Sequence, residues 1–559
     1  MMKQCLRKFL ALLLVITFIS GAMAGCFWRI ELPETDPESP TGDGRPPDTL
    51  DIGIPCDGRI SISFVPEDVL NPYTSTSRDN LAVAGLVYEG LFAMGENFTA
   101  IPAIAVGLST LDGRLYTLEI RQDITFHSGE ALTVEDVIYS LNWARQSALF
   151  AGRLSIVSGF ERHYDEDGVA LPYEMDILLN RVHGNIGILL TFPIIQRGSV
   201  GYEAPPGSGP YQFTDENGPP RLVAFPGHRY GQYLPLDTIY LTEIITMEQM
   251  TAHFNSGLLD IVGLEITVTG EPLLAPTREL RHFEASLMDY VGFNLLRPEM
   301  RRAEVRQAIS LAIDRVYITE NIMRGNAVPS TLPFHPALFY YDGQLAAEFD
   351  FDLRFAQEIL AGRAALDRPD ERPTLADEYP AEPAPTPNDP AEADEEDEDE
   401  EEPTQLTLLV ASGNTNRMEV AVYIAASISE LGYQVIIDDR PYHEFLQALA
   451  AGNFDLYYGQ VRLQPDFDLW ELLFGSLNFS GVDNIVDRRL LDDFLASGLS
   501  DRGLRAELLS RAIMMEAPFA VIGFRNLSVA TQRGVVIGMQ PTQENMYNNV
   551  WEWIVELRG

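Results

Sequence analysis

The side chains that usually carry out chemistry are all present in this chain, but they are not spaced to do it. Its eight histidines, at positions 127, 163, 183, 228, 253, 282, 335 and 443, are scattered, and no pair has the spacing that puts two imidazoles on one helix face. The three cysteines, Cys5, Cys26 and Cys56, have no zinc-type spacing. Neither a G-x-G-x-x-G nor a P-loop occurs, and H-E-x-x-H and G-x-S-x-G are equally missing. Carboxylates are so frequent that pairing them along the sequence identifies nothing. Thr133 and Asp136 read as a helix cap, with the Asp136 carboxylate reaching back to close a capping box. These spacings call for no catalytic residue, no metal and no cofactor, which leaves non-covalent recognition.

The elements that would position a recognition site are legible. Arg59 to Val65 alternates with period two, as a half-buried strand does, and Asn80 to Phe92 has helical spacing. Residues 106 to 109, the Asp112-Gly113 turn pair and residues 115 to 120 form a hairpin pattern. From residue 406 the pattern becomes α/β. Leu406 to Val410, Tyr433 to Ile437 and Phe454 to Tyr458 read as strands, separated by helices over Asn416 to Leu431 and His443 to Ala451, with Gly432 as a C-terminal stop. Strands separated by helices imply a mostly parallel, helix-covered sheet. Ligands on such sheets sit at the carboxyl ends of strands, here just after Tyr458.

Composition bounds the answer. The 559 residues exceed what one hydrophobic core organises, so two or more domains are expected. A net charge of -43 repels phosphate backbones and argues against nucleic-acid binding. Much of that charge is local: 17 acidic residues and two arginines lie between Asp367 and Glu402, ending in nine consecutive acids, with prolines interspersed. Like-charge repulsion and few apolar residues make this a solvated, disordered insertion over 367–404.

The N-terminus has the order of a secretory signal: basic residues, an apolar run from Phe9 to Ile19 too short to span a bilayer comfortably, then small residues. Met23-Ala24-Gly25-Cys26 resembles a bacterial lipobox, which implies cleavage before Cys26 and a lipid anchor on that residue. Cys56 is then left without an intrachain partner, so the fold is held by its core. Residues 26–58, rich in Pro, Gly and acids, read as a tether.

Several segments, in order, resemble the extracellular solute-binding proteins of family 5, the peptide- and nickel-binding components of ATP-driven (ABC) importers. They are Leu70-Asn71-Pro72-Tyr73, Val87-Tyr88-Glu89-Gly90-Leu91-Phe92, Ile124 to Glu130 with Leu132 to Val137, Gly207-Ser208-Gly209-Pro210-Tyr211, and Phe293-Asn294 with Val305 to Ile309 and Ala312 to Arg315. Glu516-Ala517-Pro518 and Gly534-Val535-Val536 fall in similar places.

The resemblance implies an α/β fold with mixed sheets: a bilobal periplasmic-binding-protein-like clamp of type II, with an extra domain. On this chain lobe I would comprise residues 59–75, 201–288 and 516–559, the extra domain 76–200, and lobe II 289–515. A short peptide would be held between the lobes as they close and be delivered to ABC permease subunits in the membrane, with the binding protein acting as a monomer. Alternatives are another solute, such as a nickel chelate or an oligosaccharide, and a surface receptor that senses a peptide without transporting it. The glycines of the Gly207 to Tyr211 segment are expected to serve architecture through their backbone freedom.

Two segments are implied as ligand contacts: Thr74, Ser75, Thr76, Ser77 and Arg78 after the Asn-Pro turn, and Gly459 to Leu463, of which Gly459, Gln460, Val461 and Arg462 follow Tyr457 and Tyr458. The chain departs from the pattern here. Peptide-binding relatives have Gly-Trp and then an aspartate for the peptide amino terminus, and both the tryptophan and the aspartate at that spacing are absent. Asp466 or Asp468 is left as the candidate for an ammonium, and Arg462 as the candidate to fork onto a carboxylate.

Overall fold

A computed structural model describes residues 59–264, 278–366 and 403–556. The leader, Cys26, Cys56, the tether and the acidic insertion up to residue 402 lie outside the described residues.

The elements that matter below begin with β1 (Ile60–Phe64), α1 (Arg78–Val87), β2 (Ala105–Thr110), β3 (Leu115–Ile120), α2 (Val134–Ala144), β4 (Val157–Tyr164) and β5 (Ala170–Leu179). They continue with β6 (Thr238–Glu243), β7 (Ile261–Leu264), β8 (Arg278–Phe293), α3 (Ala303–Leu311), β9 (Ala327–Pro329) and β10 (Gln405–Ala411). The last are α4 (Thr415–Ser429), β11 (Gln434–Arg440), α5 (Tyr442–Ala451), β12 (Leu456–Arg462), α6 (Arg502–Glu516) and β13 (Phe519–Gln532).

The described chain falls into two compact units. One holds Glu67–Ala93 and Ala100–Thr238; the other holds residues 59–66, Met94–Thr99 and the chain from Ile239 onward.

The first unit contains an antiparallel sheet in the order β2-β3-β5-β4. Its β2-β3 turn is made by Asp112, whose Oδ1 accepts the N–H groups of Arg114 (2.8 Å) and Leu115 (2.9 Å), with Gly113 at a φ of 69°. Helix α2 is entered through Asp136, whose carboxylate accepts both the N–H (3.0 Å) and the hydroxyl (2.9 Å) of Thr133. Helix α1 ends at Val87, five residues before the apolar spacing suggests, because Tyr88 is already extended. The Val87 carbonyl instead accepts from the Gly209 N–H at 2.9 Å. A Cβ on Gly209 would stand 2.6 Å from that carbonyl carbon, and one on Gly207 would strike the carbonyl oxygen. The glycine-rich segment is therefore architectural, but through close backbone approach: neither glycine has a positive φ.

The second unit is built on a mixed sheet in the order β11-β10-β12-β8-β13-β7-β1-β6, with β9 also paired to β13. β10 is parallel to β11 and β12, as the α/β pattern predicts. β8 is antiparallel to both β12 and β13. The strand read as Phe454 to Tyr458 runs on to Arg462, since β8 supplies partners for all of it. Of the 14 residues of β13, 13 are buried, so the strand shows no alternation and is covered on both faces.

Two arginines from the segments that carried the family resemblance fix this unit. Arg306 of α3 is fully buried and donates to the carbonyls of Met300 (2.6 Å), Arg301 (3.0 Å), Ala517 (3.0 Å) and Glu516. It thereby closes the end of α6 at Ala517, which has a φ of 43°, a conformation an alanine resists. Arg315 is equally buried and binds the carbonyls of Val521 (2.7 Å), Ser310 (3.1 Å) and Ile313 (3.1 Å), joining the loop after α3 to β13. Burial lowers its pKa to about 10, which still leaves it charged.

Arg306→Met keeps the aliphatic stem and strands these carbonyls. It is expected to lower the unfolding free energy by about 3 kcal/mol, read as a lower urea midpoint at an unchanged slope.

Candidate functional site

The two segments singled out in sequence lie in different units. In the first unit, the Asn-Pro turn is locked by Asn71, whose Nδ2 donates to the carbonyls of Val200 (2.6 Å) and Tyr202 (3.1 Å) while its Oδ1 accepts the Tyr73 N–H (3.0 Å). The following residues wrap around Asp68. Its carboxylate accepts the Ser75 hydroxyl (2.9 Å) and the N–H groups of Thr76 (2.8 Å) and Ser77 (2.5 Å), and it takes the Val69 N–H at 2.8 Å. Burial acts to raise the Asp68 pKa, but these bonds outweigh it and the pKa is lowered. Ser77 caps α1 by accepting the Asn80 N–H at 3.3 Å. The backbone donors of Thr76 and Ser77 are thus already used, whereas the side chains of Thr74, Thr76 and Arg78 are exposed.

In the second unit, β12 sorts its residues onto two faces. Opposite residues of an antiparallel pair share a face, and the register is Leu287↔Arg462, Asp289↔Gln460 and Val291↔Tyr458. Tyr458, Gln460 and Arg462 therefore lie on one face with Asp289. Across β8 and β13, Leu287 faces Arg525, which puts that guanidinium on the same face. Asp289 and Arg525 are each 1% exposed, and Arg525 Nε donates to Asp289 Oδ2 at 2.6 Å. The Tyr458 hydroxyl donates to the same oxygen at 3.0 Å, and Gln460 Nε2 donates to Oδ1 at 2.9 Å. Burial opposes the charge on Arg525, but the Asp289 carboxylate more than offsets it and the arginine's pKa is raised. Burial, reinforced by Asp289, raises that of Tyr458.

The other face holds Tyr457, Gly459 and Val461. Tyr290 lies over Gly459 and Tyr457 lies over Gly292, so closely that a Cβ on either glycine would fall on the facing ring. The two tyrosine hydroxyls are 3.3 Å apart, and burial pushes the Tyr290 phenol up to about 12. Tyr457 and Tyr458 are both buried, whereas Gln460 and Arg462 are exposed and Val461 is half-buried.

Beyond β12 the chain turns through Asp466 and Asp468. Asp466 is buried; its Oδ1 accepts the Asp468 N–H (3.1 Å) and its carbonyl accepts Arg502 Nη2 (3.0 Å). Asp468 Oδ1 accepts the Trp470 N–H at 2.9 Å. Phe467, between them, has a φ of 60° and packs edge-on against Phe98, also left-handed at 58°, with ring centroids 5.0 Å apart.

His335 completes this aromatic group, 5.1 Å from both Phe98 and Phe524. Its Nδ1 accepts the Ala337 N–H at 3.0 Å, so the neutral ring carries its proton on Nε2, which has no hydrogen-bond partner among the described residues. Burial in this apolar setting lowers its pKa to about 4.

Sequence reading did not find Asp289, Arg525, Tyr290 or His335. The available signal was a single charge inside each of two apolar runs, Leu287 to Phe293 and Phe519 to Leu527.

The fold these units build is that of the bilobal periplasmic binding proteins, with mixed sheets, and it recurs in solved structures. Oligopeptide-binding AppA from Bacillus subtilis, in complex with a nonapeptide, matches with a TM-score of 0.58 at 18% identity, covering 89% of this chain and 98% of that one. NikZ from Campylobacter jejuni, in complex with Ni(L-His), matches with a TM-score of 0.59 at 17% identity, covering 89% of this chain and 100% of that one. By sequence, the Bacillus subtilis oligopeptide-binding protein AppA is 20% identical over 538 residues, 89% of this chain and 92% of its own length. The model of the bacterial extracellular solute-binding proteins, family 5 (middle), matches residues 99–476. The chain belongs to that family. It is accordingly an extracytoplasmic solute-binding protein of the ABC-importer type, and not an enzyme.

An unfolded chain protonates His335 at pH 6.5, whereas the folded protein resists until about pH 4. Its contribution is therefore fully present above pH 6.5 and is lost as pH falls toward 4, by up to about 3 kcal/mol. In His335→Asn, which keeps an acceptor for the Ala337 N–H, urea unfolding is expected to depend less on pH between 7 and 4.5. An unaltered dependence would assign the acid sensitivity to other groups.

Proposed function

We propose that this protein captures short peptides between its lobes and delivers them to ABC permease subunits, working as a monomer held to the membrane by lipid on Cys26. The observation that carries the peptide reading is the outer end of β12. There Gln460 and Arg462 stand exposed on one strand face, backed by the buried Tyr458, Asp289 and Arg525. A neutral amide and a guanidinium two residues apart offer a main-chain contact and a carboxylate fork to an extended peptide. The likeness to AppA over 89% of the chain supports the same reading.

In this reading the side chains of Gln460 and Arg462 touch the ligand directly, while Val461, whose side chain lies on the other face, contributes only its main chain, and Gly459 sets the path of the strand. Tyr457 and Tyr458 stiffen the strand from within. Asp466 and Asp468 hold the turn that follows, and Asp468, the less buried of the two, faces an ammonium. Of the segment Thr74, Ser75, Thr76, Ser77 and Arg78, the exposed Thr74, Thr76 and Arg78 side chains supply a second contact, while Ser75 and Ser77, engaged with Asp68 and the α1 cap, hold the segment in shape.

Native mass spectrometry of the mature protein, purified gently from membranes in detergent and then denatured, tests the ligand. The expected result is a heterogeneous set of short-peptide masses, reduced roughly tenfold in Arg462→Ala. A single non-peptide mass, such as a nickel chelate, would replace the peptide reading with a dedicated transporter. For the anchor, Cys26→Ala is expected to move the protein from the membrane fraction to the soluble one, because a chain without lipid loses the partitioning of its acyl groups.

A further inference from the structure

Gln460 is held by a carboxylate that leaves its amide no choice of orientation. Asp289 Oδ2 is taken by Arg525 Nε at 2.6 Å and by the Tyr458 hydroxyl at 3.0 Å, and Oδ1 by Gln460 Nε2 at 2.9 Å. An ion-paired carboxylate only accepts hydrogen bonds, so the Gln460 amide must turn its NH2 group inward. Its carbonyl oxygen Oε1 is thereby directed away from Asp289, on an exposed side chain at the end of β12. Arg525 and Asp289 are fully buried and held by cross-strand register, so this orientation is set by the sheet and not by the ligand.

We propose that Asp289 is a positioning residue that fixes the hydrogen-bond polarity of the ligand site: through Gln460 it presents a carbonyl oxygen and so selects a ligand with an N–H donor, a peptide main-chain amide or ammonium, at this point. The inference deepens the peptide reading above and rests on it. A flexible glutamine would accept either polarity, because its amide can rotate at small cost. Pinned by Asp289, it holds its carbonyl oxygen at one fixed place, where a ligand N–H is accepted and a ligand oxygen would face another oxygen; the second N–H of the same NH2 group points elsewhere.

The geometry dictates what Asp289→Asn does. Arg525 needs an oxygen, so the carbonyl of the substituted amide must face it, leaving the NH2 group toward Gln460. Gln460 then turns its oxygen inward and presents N–H groups to the ligand, inverting the polarity without removing a side chain. Gln460→Met removes the acceptor on an exposed position, and Gln460→Lys pairs with Asp289 and offers donors only. These two variants keep the test sound if Asp289→Asn folds poorly.

The probe is the tightest-binding member of a pentapeptide library, compared with its analogues methylated at each main-chain nitrogen in turn and with its des-amino analogue, titrated calorimetrically against the mature protein. In the wild type, one nitrogen is expected to be sensitive, its modification weakening binding about tenfold, the worth of one hydrogen bond. In Gln460→Met and Gln460→Lys the parent peptide binds about tenfold more weakly, and modifying that same nitrogen costs nothing further. Asp289→Asn is expected to show the same insensitivity, and to add no loss in the Gln460→Met background. A merely structural role for Asp289 would instead weaken every analogue equally and in both backgrounds, which would overturn the proposal. So would a wild type that binds peptides but shows no nitrogen whose sensitivity disappears in Gln460→Met. A wild type that binds no library member overturns the peptide reading itself, and this inference with it.

Discussion

The pairing of β8 with β13 is the constraint on which the second unit depends. β8 is paired with β13 on one side and β12 on the other, and β13 also carries β7 and β9. Strands buried on both faces have no solvent to satisfy a misplaced polar group, so register is enforced wherever one occurs. Asp289 and Arg525 are such groups. A slip of one residue in either strand would turn one charge to the opposite face and leave the other buried without a counterion, a loss of about 3 to 5 kcal/mol. The ion pair is therefore better understood as a register pin than as a source of net stability. Tyr290 over Gly459 and Tyr457 over Gly292 act in the same way, because each ring fits only above a residue without a side chain.

Buried cations do two kinds of work in this unit. Arg306 and Arg315 donate to carbonyl oxygens, acting as multivalent caps that tie the ends of helices to the turn before β13 and to β13 itself. Five donors in a rigid plane suit that task, and a lysine would not replace them. Arg525 faces a carboxylate, and its pairing extends through Asp289 to Gln460 at the surface. The first arrangement holds the scaffold together; the second connects the scaffold to the exposed end of β12, where the ligand contact is proposed.

Much of this fold was legible in sequence because its signals are local. Period-two alternation gave β1. Hydrophobic spacing from Asn416 and the stop at Gly432 marked α4, whose Asn414 cap the structure adds, and the alternation of strands and helices after residue 406 gave the parallel arrangement of β10, β11 and β12. The motifs Val305 to Ile309 and Ala312 to Arg315 marked the right places, though not the reason for them. Local spacing said nothing of why α1 stops at Val87, since that depends on glycines about 120 residues later pressing on its last carbonyl. It also stopped β12 at Tyr458, since the partner that extends the strand to Arg462 lies in β8.

The candidate site divides along the same line. The chain by itself determined the family and the α/β character of the sheet that carries β12, and it singled out the segment around Gln460 and Arg462 as a candidate, because each rests on residue order or short-range periodicity. Only the tertiary structure decided which of those residues are exposed, that Tyr457 and Tyr458 face inward on opposite sides of the sheet, and that Asp289 and Arg525 meet. Those facts depend on strand register between segments more than 160 residues apart, and register is fixed by packing and by the cost of an unpaired buried charge, which no local pattern records.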